Sequence, residues 1–197
     1  MYLQAKTIEI DDSGTGDLVG DAFIGFHVIE TGELIFRGIP VGFYNERNHK
    51  ERKSFDYILD MVKDGLEALK FNKKRDKIQI CRGSCFDKVR EWFDEKGINH
   101  EPSIVEGRLQ EAVEGRYVSH LRRLGMRSPR LTIEAGIERF FVSFNWVAQD
   151  FPSRKQFVKS GFPAWKKKWR QIAKERYNQH KEGKKTIKSF SGRRART

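Results

Sequence analysis

Apolar and polar residues alternate over Thr7–Asp11, with Ile8 and Ile10 set between Thr7, Glu9 and Asp11. That is the period of a β-strand with one buried face. Ala22–Glu30, with Phe23, Ile24, Phe26, Val28 and Ile29, predicts a second strand, and Glu30-Thr31-Gly32-Glu33 a turn. Leu34–Phe43 predicts a third strand, in which Pro40 marks an irregularity or an edge. The period then lengthens. Phe55, Ile58, Leu59, Val62, Leu66 and Leu69 follow the i, i+3, i+4, i+7 rule and predict a helix over Lys50–Leu69. A strand over Lys77–Cys81 follows, then a helix from Cys85 to Lys96, capped by Ser84 and closed by Gly97. Pro102–Val105 reads as a short strand. Arg108–Leu124 reads as a helix whose apolar face includes Leu109, Val113, Tyr117 and Leu121. The order β-β-β-α-β-α-β-α predicts an α/β protein (an α+β mixed sheet of five strands, three antiparallel and two reached through helices).

Beyond Pro129 the pattern changes. Leu131-Thr132-Ile133 and Phe140–Val147 read as a β-hairpin around Ala135-Gly136. Ser153 caps a helix to about Lys159, Gly161-Phe162-Pro163 breaks it, and a second helix runs from Ala164 to about His180. From Gly183 the chain is basic and poor in apolar residues, a composition expected to stay unstructured without a partner. The predicted organisation is a core over 1–128, a hairpin and basic helical extension over 129–182 packed on it, and a basic tail over 183–197.

Charge adds a second theme. Residues 151–197 hold 16 Lys and Arg against 2 Asp and Glu, whereas residues 1–150 hold 23 against 25. A neutral body with a polycationic end points to a polyanionic partner, most simply nucleic acid. Lys166, Lys167, Lys168, Arg170 and Lys174 are the candidate phosphate contacts. Trp165 and Trp169, on one stripe of the same helix, either stack on bases or pack on the body. Charged residues at 34% suit a soluble, charge-rich protein, as in thermophiles. No apolar run is long enough to span a bilayer and no signal peptide opens the chain, so a cytoplasmic location without membrane contact is expected. Two cysteines, Cys81 and Cys85, argue against a structural zinc site or a disulfide framework and are expected to pack as small apolar groups. His27 and His120 are expected to be structural. No phosphate-binding loop, dinucleotide fingerprint or Ser-His-Asp arrangement is present.

The candidate chemistry lies in Asp11-Asp12-Ser13-Gly14-Thr15-Gly16-Asp17-Leu18-Val19-Gly20-Asp21. Two acids at a strand end are rigidly held yet face water, a position suited to hard cations, and the glycines let a phosphate or sugar approach the backbone. This loop resembles the signature loop of the type 2 ribonucleases H, Asp-Glu-Ala/Val-Gly-Arg/Thr-Gly-Pro/Asp-x-x-Gly-Pro. Asp11, Gly14, Thr15, Gly16, Asp17 and Gly20 match as they stand. Asp12 replaces Glu, Ser13 a small residue and Asp21 a Pro. The element order is also that of the ribonuclease H-like fold.

The resemblance implies hydrolysis of a nucleic-acid phosphodiester by carboxylates holding two divalent cations, Mg²⁺ or Mn²⁺. It makes Asp11 the first ligand and Asp12 the second, directly or through water, and places the backbone of Gly14-Thr15-Gly16 near a ribose 2′-hydroxyl. The family's acid at the end of the fourth strand is missing, because that strand ends in Cys81-Arg82-Gly83. Glu106, after the fifth strand, is the candidate to compensate. Glu111 and Glu114 are the candidates for the last acid, which the family carries on the following helix. The alternative is an inactive nucleic-acid-binding protein on the same fold.

Overall fold

Ile8 and Ile10 are fully buried at the centre of a sheet, where Thr7–Ser13 forms strand β1. β1 pairs antiparallel with Ala22–Val28 (β2), and β2 pairs antiparallel with Glu33–Ile39 (β3). On its other side β1 runs parallel to Lys77–Cys81 (β4), and β4 runs parallel to His100–Ser103 (β5). The order β3-β2-β1-β4-β5 gives an α/β protein with a mixed five-stranded sheet, three strands antiparallel and two added in parallel. The computed structural model describes residues 4–132 and 136–194, with side chains through 182.

Helices cover both faces, so β2 is buried along its whole length. On one face lie Lys53–Ala68 (α2, preceded by the short α1, Glu46–Lys50) and Asp87–Lys96 (α3). Ile58, Val62, Val89 and Phe93 meet Ile8, Ile10, Ile24 and Phe26 there. On the other face lies Arg108–Arg123 (α4), whose Val113, Tyr117 and Leu121 share a core with Phe23. Gly25 lets α4 sit close. A Cβ there would lie 2.8 Å from Leu109 Cδ1.

Several elements differ from the sequence reading; the fifth strand, for one, covers His100–Ser103 rather than Pro102–Val105. The third strand stops at Ile39, and Val41–Tyr44 forms a 3₁₀ turn, because Pro40 has no N–H to continue the ladder. The predicted helix from Lys50 is interrupted, since Arg52 takes a left-handed conformation between α1 and α2. The predicted hairpin is absent. Pro129–Thr132 is a 3₁₀ turn and Gly136–Gln149 is a helix, α5. Ile133 and Ala135 of that hairpin lie outside the described residues. Aromatic and β-branched residues favour strands in general, but here Phe140, Phe144 and Val147 recur at helical spacing and bury against α4 and the last helix.

Phe151–Arg154 (α6) and a 3₁₀ turn over Lys155–Phe157 replace the helix predicted to Lys159. Val158 is extended and bridges to Val19. After Gly161 a π-helical turn, Trp165–Trp169, leads into α7, Arg170–Arg194, so helical backbone extends into the stretch whose composition reads as an unstructured tail. Trp165 and Ala173 of this extension are buried with Tyr117 and Leu121 of α4 in one core. No helix among the described residues is long and apolar enough to cross a membrane.

Two helical glycines should respond oppositely to alanine. At Gly65 in α2 a Cβ would lie 2.3 Å from Phe26 Cζ, whereas at Gly115 in α4 it would meet nothing within 4 Å. Gly65→Ala should cost about 1–2 kcal/mol, overpacking outweighing the gain in helix propensity. Gly115→Ala should gain up to about 1 kcal/mol. Urea-denaturation midpoints of the two variants check the opposite signs.

Candidate metal centre

The register of the two central strands makes the site. Ile10 pairs with Ile80 in the parallel β1–β4 ladder, so one step further places Asp11 beside Cys81 at the carboxyl ends of both strands. Open α/β sheets bind ligands at such ends. Ligand atoms of Asp11, Asp12 and Cys81 lie within 4.8 Å of one another, and this group could hold a metal ion. Asp11 faces α4, opposite Gly25 of β2. Its neighbour Asp12 points to the other face of the sheet, as alternate strand residues must. There Asp12 accepts from the Thr15 hydroxyl at 2.5 Å and from the Cys85 thiol at 3.2 Å.

The cysteines pack against the core, as expected of small apolar groups, and their thiols also meet the acids. The Cys81 thiol bonds Asp11 and the Cys85 thiol bonds Asp12. Burial pushes the Cys81 thiol up to about 11 and the Cys85 thiol further, and the adjacent carboxylates add to both shifts. Both are thiols at neutral pH and donate to the acids. Arg90 fixes their turn by donating to the carbonyls of Cys81, at 2.9 Å, and Gly83, at 3.2 Å. A Cβ at Gly83 would sit 3.5 Å from Asp12 Oδ1, 3.5 Å from Cys85 Sγ and 3.8 Å from Cys81 Sγ. Glycine thus leaves open a cradle onto which a carboxylate and two sulfurs converge. The donor set fits a divalent cation, with oxygen ligands for a hard ion and sulfur for a softer one.

Asp11 is 6% exposed, and burial raises its carboxyl to about 6, the charges of Asp12 and Glu114 adding to the effect. Glu114 reaches this neighbourhood from α4. Its carboxylate pairs at 2.9 Å with Arg139 of α5, which also reaches Asp17 at 3.4 Å. Glu111 is exposed one turn earlier, on the rim of a shallow groove shared with Glu114 and Arg139. Glu106 is exposed beyond β5. Neither joins the metal-binding group found among the described residues.

The loop after β1 is fastened at every turn. Gly14 and Gly20 have φ of +85° and +84°, and a Cβ on either would strike the ring of Tyr117 or His120 at 2.7–2.8 Å. Glycine is required at both on two counts. Tyr117 Oη donates to the Val19 carbonyl at 2.8 Å, and the Asp21 N–H donates to His120 Nε2 at 3.0 Å. Burial lowers His120, so it stays a neutral acceptor. His27 pairs with Glu9 at 2.7 Å within the sheet. From the extension, Lys159 enters with no exposed surface and donates to the Gly14 and Asp17 carbonyls. Gly16 and Thr15 remain at the surface of the loop, facing a cleft.

The basic candidates divide. Lys166, Arg170 and Lys174 line one groove with Lys155, and the first two also flank Glu46, at 3.1 and 3.8 Å. Lys167 and Lys168 are exposed outside that groove. Trp165 is buried, and Trp169 sits edge-on among Phe140, Phe141 and Phe144, so packing occupies both rings.

Arg139, Lys159, Cys81, Cys85 and Tyr117 belong to this site and were not legible as functional residues. Tyr117 and the two cysteines were legible only as packing residues, and nothing in the sequence singled out Arg139 or Lys159. No family model matches the chain, and no curated protein matches it significantly.

The buried carboxyl at position 11 sets a pH dependence in metal-free protein. Its native pKa, about 6, lies above the ordinary 3.8. Its contribution is therefore fully favourable below about pH 4 and is lost as pH rises through 6. With chelator present, Asp11→Asn should be more stable than the parent at pH 7, and the advantage should shrink toward pH 4. Urea midpoints at both pH values test this. A difference that does not change with pH would rule out burial of the charge as its source.

Proposed function

We propose that the chain is a divalent-metal-dependent nuclease that hydrolyses nucleic-acid phosphodiesters at the Asp11–Asp12–Cys81 cluster. The observation that carries the reading is that cluster's place, at the ends of two parallel central strands in a sheet compatible with a ribonuclease H-like fold. Asp11 and Asp12 would hold the cation, with Cys81 as third donor. When bound, the cation supplies Lewis acidity and lowers the pKa of a coordinated water. The chain's own groups do the rest. Thr15 holds the Asp12 carboxylate in orientation. Glu114, tied by Arg139, adds negative potential beside Asp11 and favours cation binding. The Lys155, Lys166, Arg170 and Lys174 groove neutralises substrate phosphates away from the reacting centre.

Cys81 refines the cation. Among the ions the loop resemblance implies, Mn²⁺ tolerates a sulfur donor better than Mg²⁺ does. Mn²⁺ should bind at least about tenfold (~1.4 kcal/mol) tighter than Mg²⁺. Cys81→Asp should narrow that gap by restoring an oxygen donor. Metal titrations of both proteins read this directly.

A second reading has its own observation. Strand β4 ends in a thiol where an acid is expected, and Glu106 and Glu111 stay outside the cluster. An inactive nucleic-acid-binding protein would have these features. A cleavage panel separates the two, using single-stranded DNA, duplex DNA, RNA and RNA–DNA hybrid with Mg²⁺ or Mn²⁺. Cleavage that disappears in Asp11→Asn supports the nuclease, and cleavage retained in that variant refutes the metal-site assignment. Salt-sensitive binding without cleavage, weakened by removing residues 181–197, favours the binding protein.

A further inference from the structure

On the Asp12 side of the sheet, a cleft of about 360 Å³ opens between the loop after β1, the Val41–Tyr44 turn and the start of α2. We propose that it binds one unpaired nucleobase with its sugar, so that the substrate is a strand able to present an unstacked nucleotide. This rests on nucleic acid being the substrate, and it names the class of strand.

Four features point to that ligand. Tyr44 lines the cleft and is 4% exposed, yet its hydroxyl has no hydrogen-bond partner among the described residues. Buried hydroxyls are nearly always satisfied, so this one is left for a ligand. The walls are aromatic, with the half-buried rings of Phe55 and Phe162 offering surface to a flat base. No lysine or arginine lines the cleft, and its charged group is the Asp12 carboxylate. A phosphate is disfavoured there, and a neutral heterocycle bearing donors and acceptors is suited. Finally, Asp12 belongs to both cleft and metal cluster, so a nucleoside seated in the cleft has the carboxylates at its edge.

The position of Phe162 is built in rather than incidental. The Gly161 N–H donates to the Tyr44 carbonyl at 2.8 Å, and a Cβ at Gly161 would lie 2.4 Å from His49 Cβ. This close seating brings the Phe162 ring edge-on to Tyr44 and His49, with centroids 6.1 and 5.7 Å away. A base paired within a duplex cannot enter such a pocket without leaving its stack, which is easiest in single strands and at unpaired positions.

Calorimetric titration of the full chain with adenosine and uridine, in chelator, tests the proposal, with ribose 5-phosphate as the control without a base. Saturable nucleoside binding is expected, with ribose 5-phosphate at least tenfold weaker. Tyr44→Phe should weaken nucleosides about three- to tenfold, the effect of one hydrogen bond. Phe162→Ala should weaken them about tenfold or more through lost stacking. Ribose 5-phosphate binding as tightly as the nucleosides, no nucleoside binding, or unchanged binding by Tyr44→Phe would each overturn it. Because chelator is present, nucleoside binding by a protein that cleaves nothing would keep the nucleoside site, for a strand bound rather than cleaved, and remove the nuclease reading. Cleavage without nucleoside binding would do the reverse.

Discussion

A lysine with no exposed surface holds the site together. The Lys159 ammonium fills the concave side of the loop after β1, donating to the carbonyls of Gly14 and Asp17. Burial lowers its pKa to about 8, and the charges of Asp17, Asp21 and Asp12 oppose that shift. A buried charge is tolerated only where hydrogen bonds and opposite charge replace water. The loop carbonyls and its acids provide both. The dependence is mutual, since the loop keeps its shape because the extension delivers Lys159. The extension in turn is held by the loop through the Val19–Val158 bridge and the Gly20 N–H donating to the Phe157 carbonyl at 2.8 Å. The division into a core and an appended piece is thus a division of sequence, while the site is common to both.

Around that anchor, the carboxylates are arranged at a cost to the metal-free protein. Asp11, Asp12 and Glu114 crowd one strand end, and burial makes the charge on Asp11 unfavourable. Two thiols and one arginine relieve the crowding. Cys81 and Cys85 donate to the acids without adding charge, and Arg139 ties Glu114 to Asp17. Such a site is poised for a cation, whose binding would replace weak thiol donors with direct charge compensation. The cleft on the other side of β1 shares Asp12, so binding there and at the cluster are physically coupled through one side chain.

How much of this could be read from the chain alone depended on the range of the forces. Alternation and helical periodicity are local, and they identified all five strands and the helices of residues 1–128. The paired acids and glycines of 11–21 were legible because a strand end followed by such a loop is itself a local signal. The hairpin reading of 131–147 failed because β-favouring residues were weighed above their spacing, and because burial against α4 rewards the helix. The roles of Cys81 and Cys85 were hidden for a different reason. Cysteine is ambiguous by composition, and its meaning here comes from which strand lies alongside.

The sequence by itself determined the mixed α/β sheet, the acids at its central strand end, the glycine-rich loop that follows them, and the basic C-terminal quarter. Tertiary structure decided which groups meet those acids. The parallel register of β1 and β4 brought Cys81 to Asp11, the packing of α5 brought Arg139 to Glu114, and the seating of Gly161 set Phe162 beside Tyr44. Each pairing joins segments distant in the chain. Its energy depends on burial and distance, which exist only once the sheet and both helical layers have closed around it.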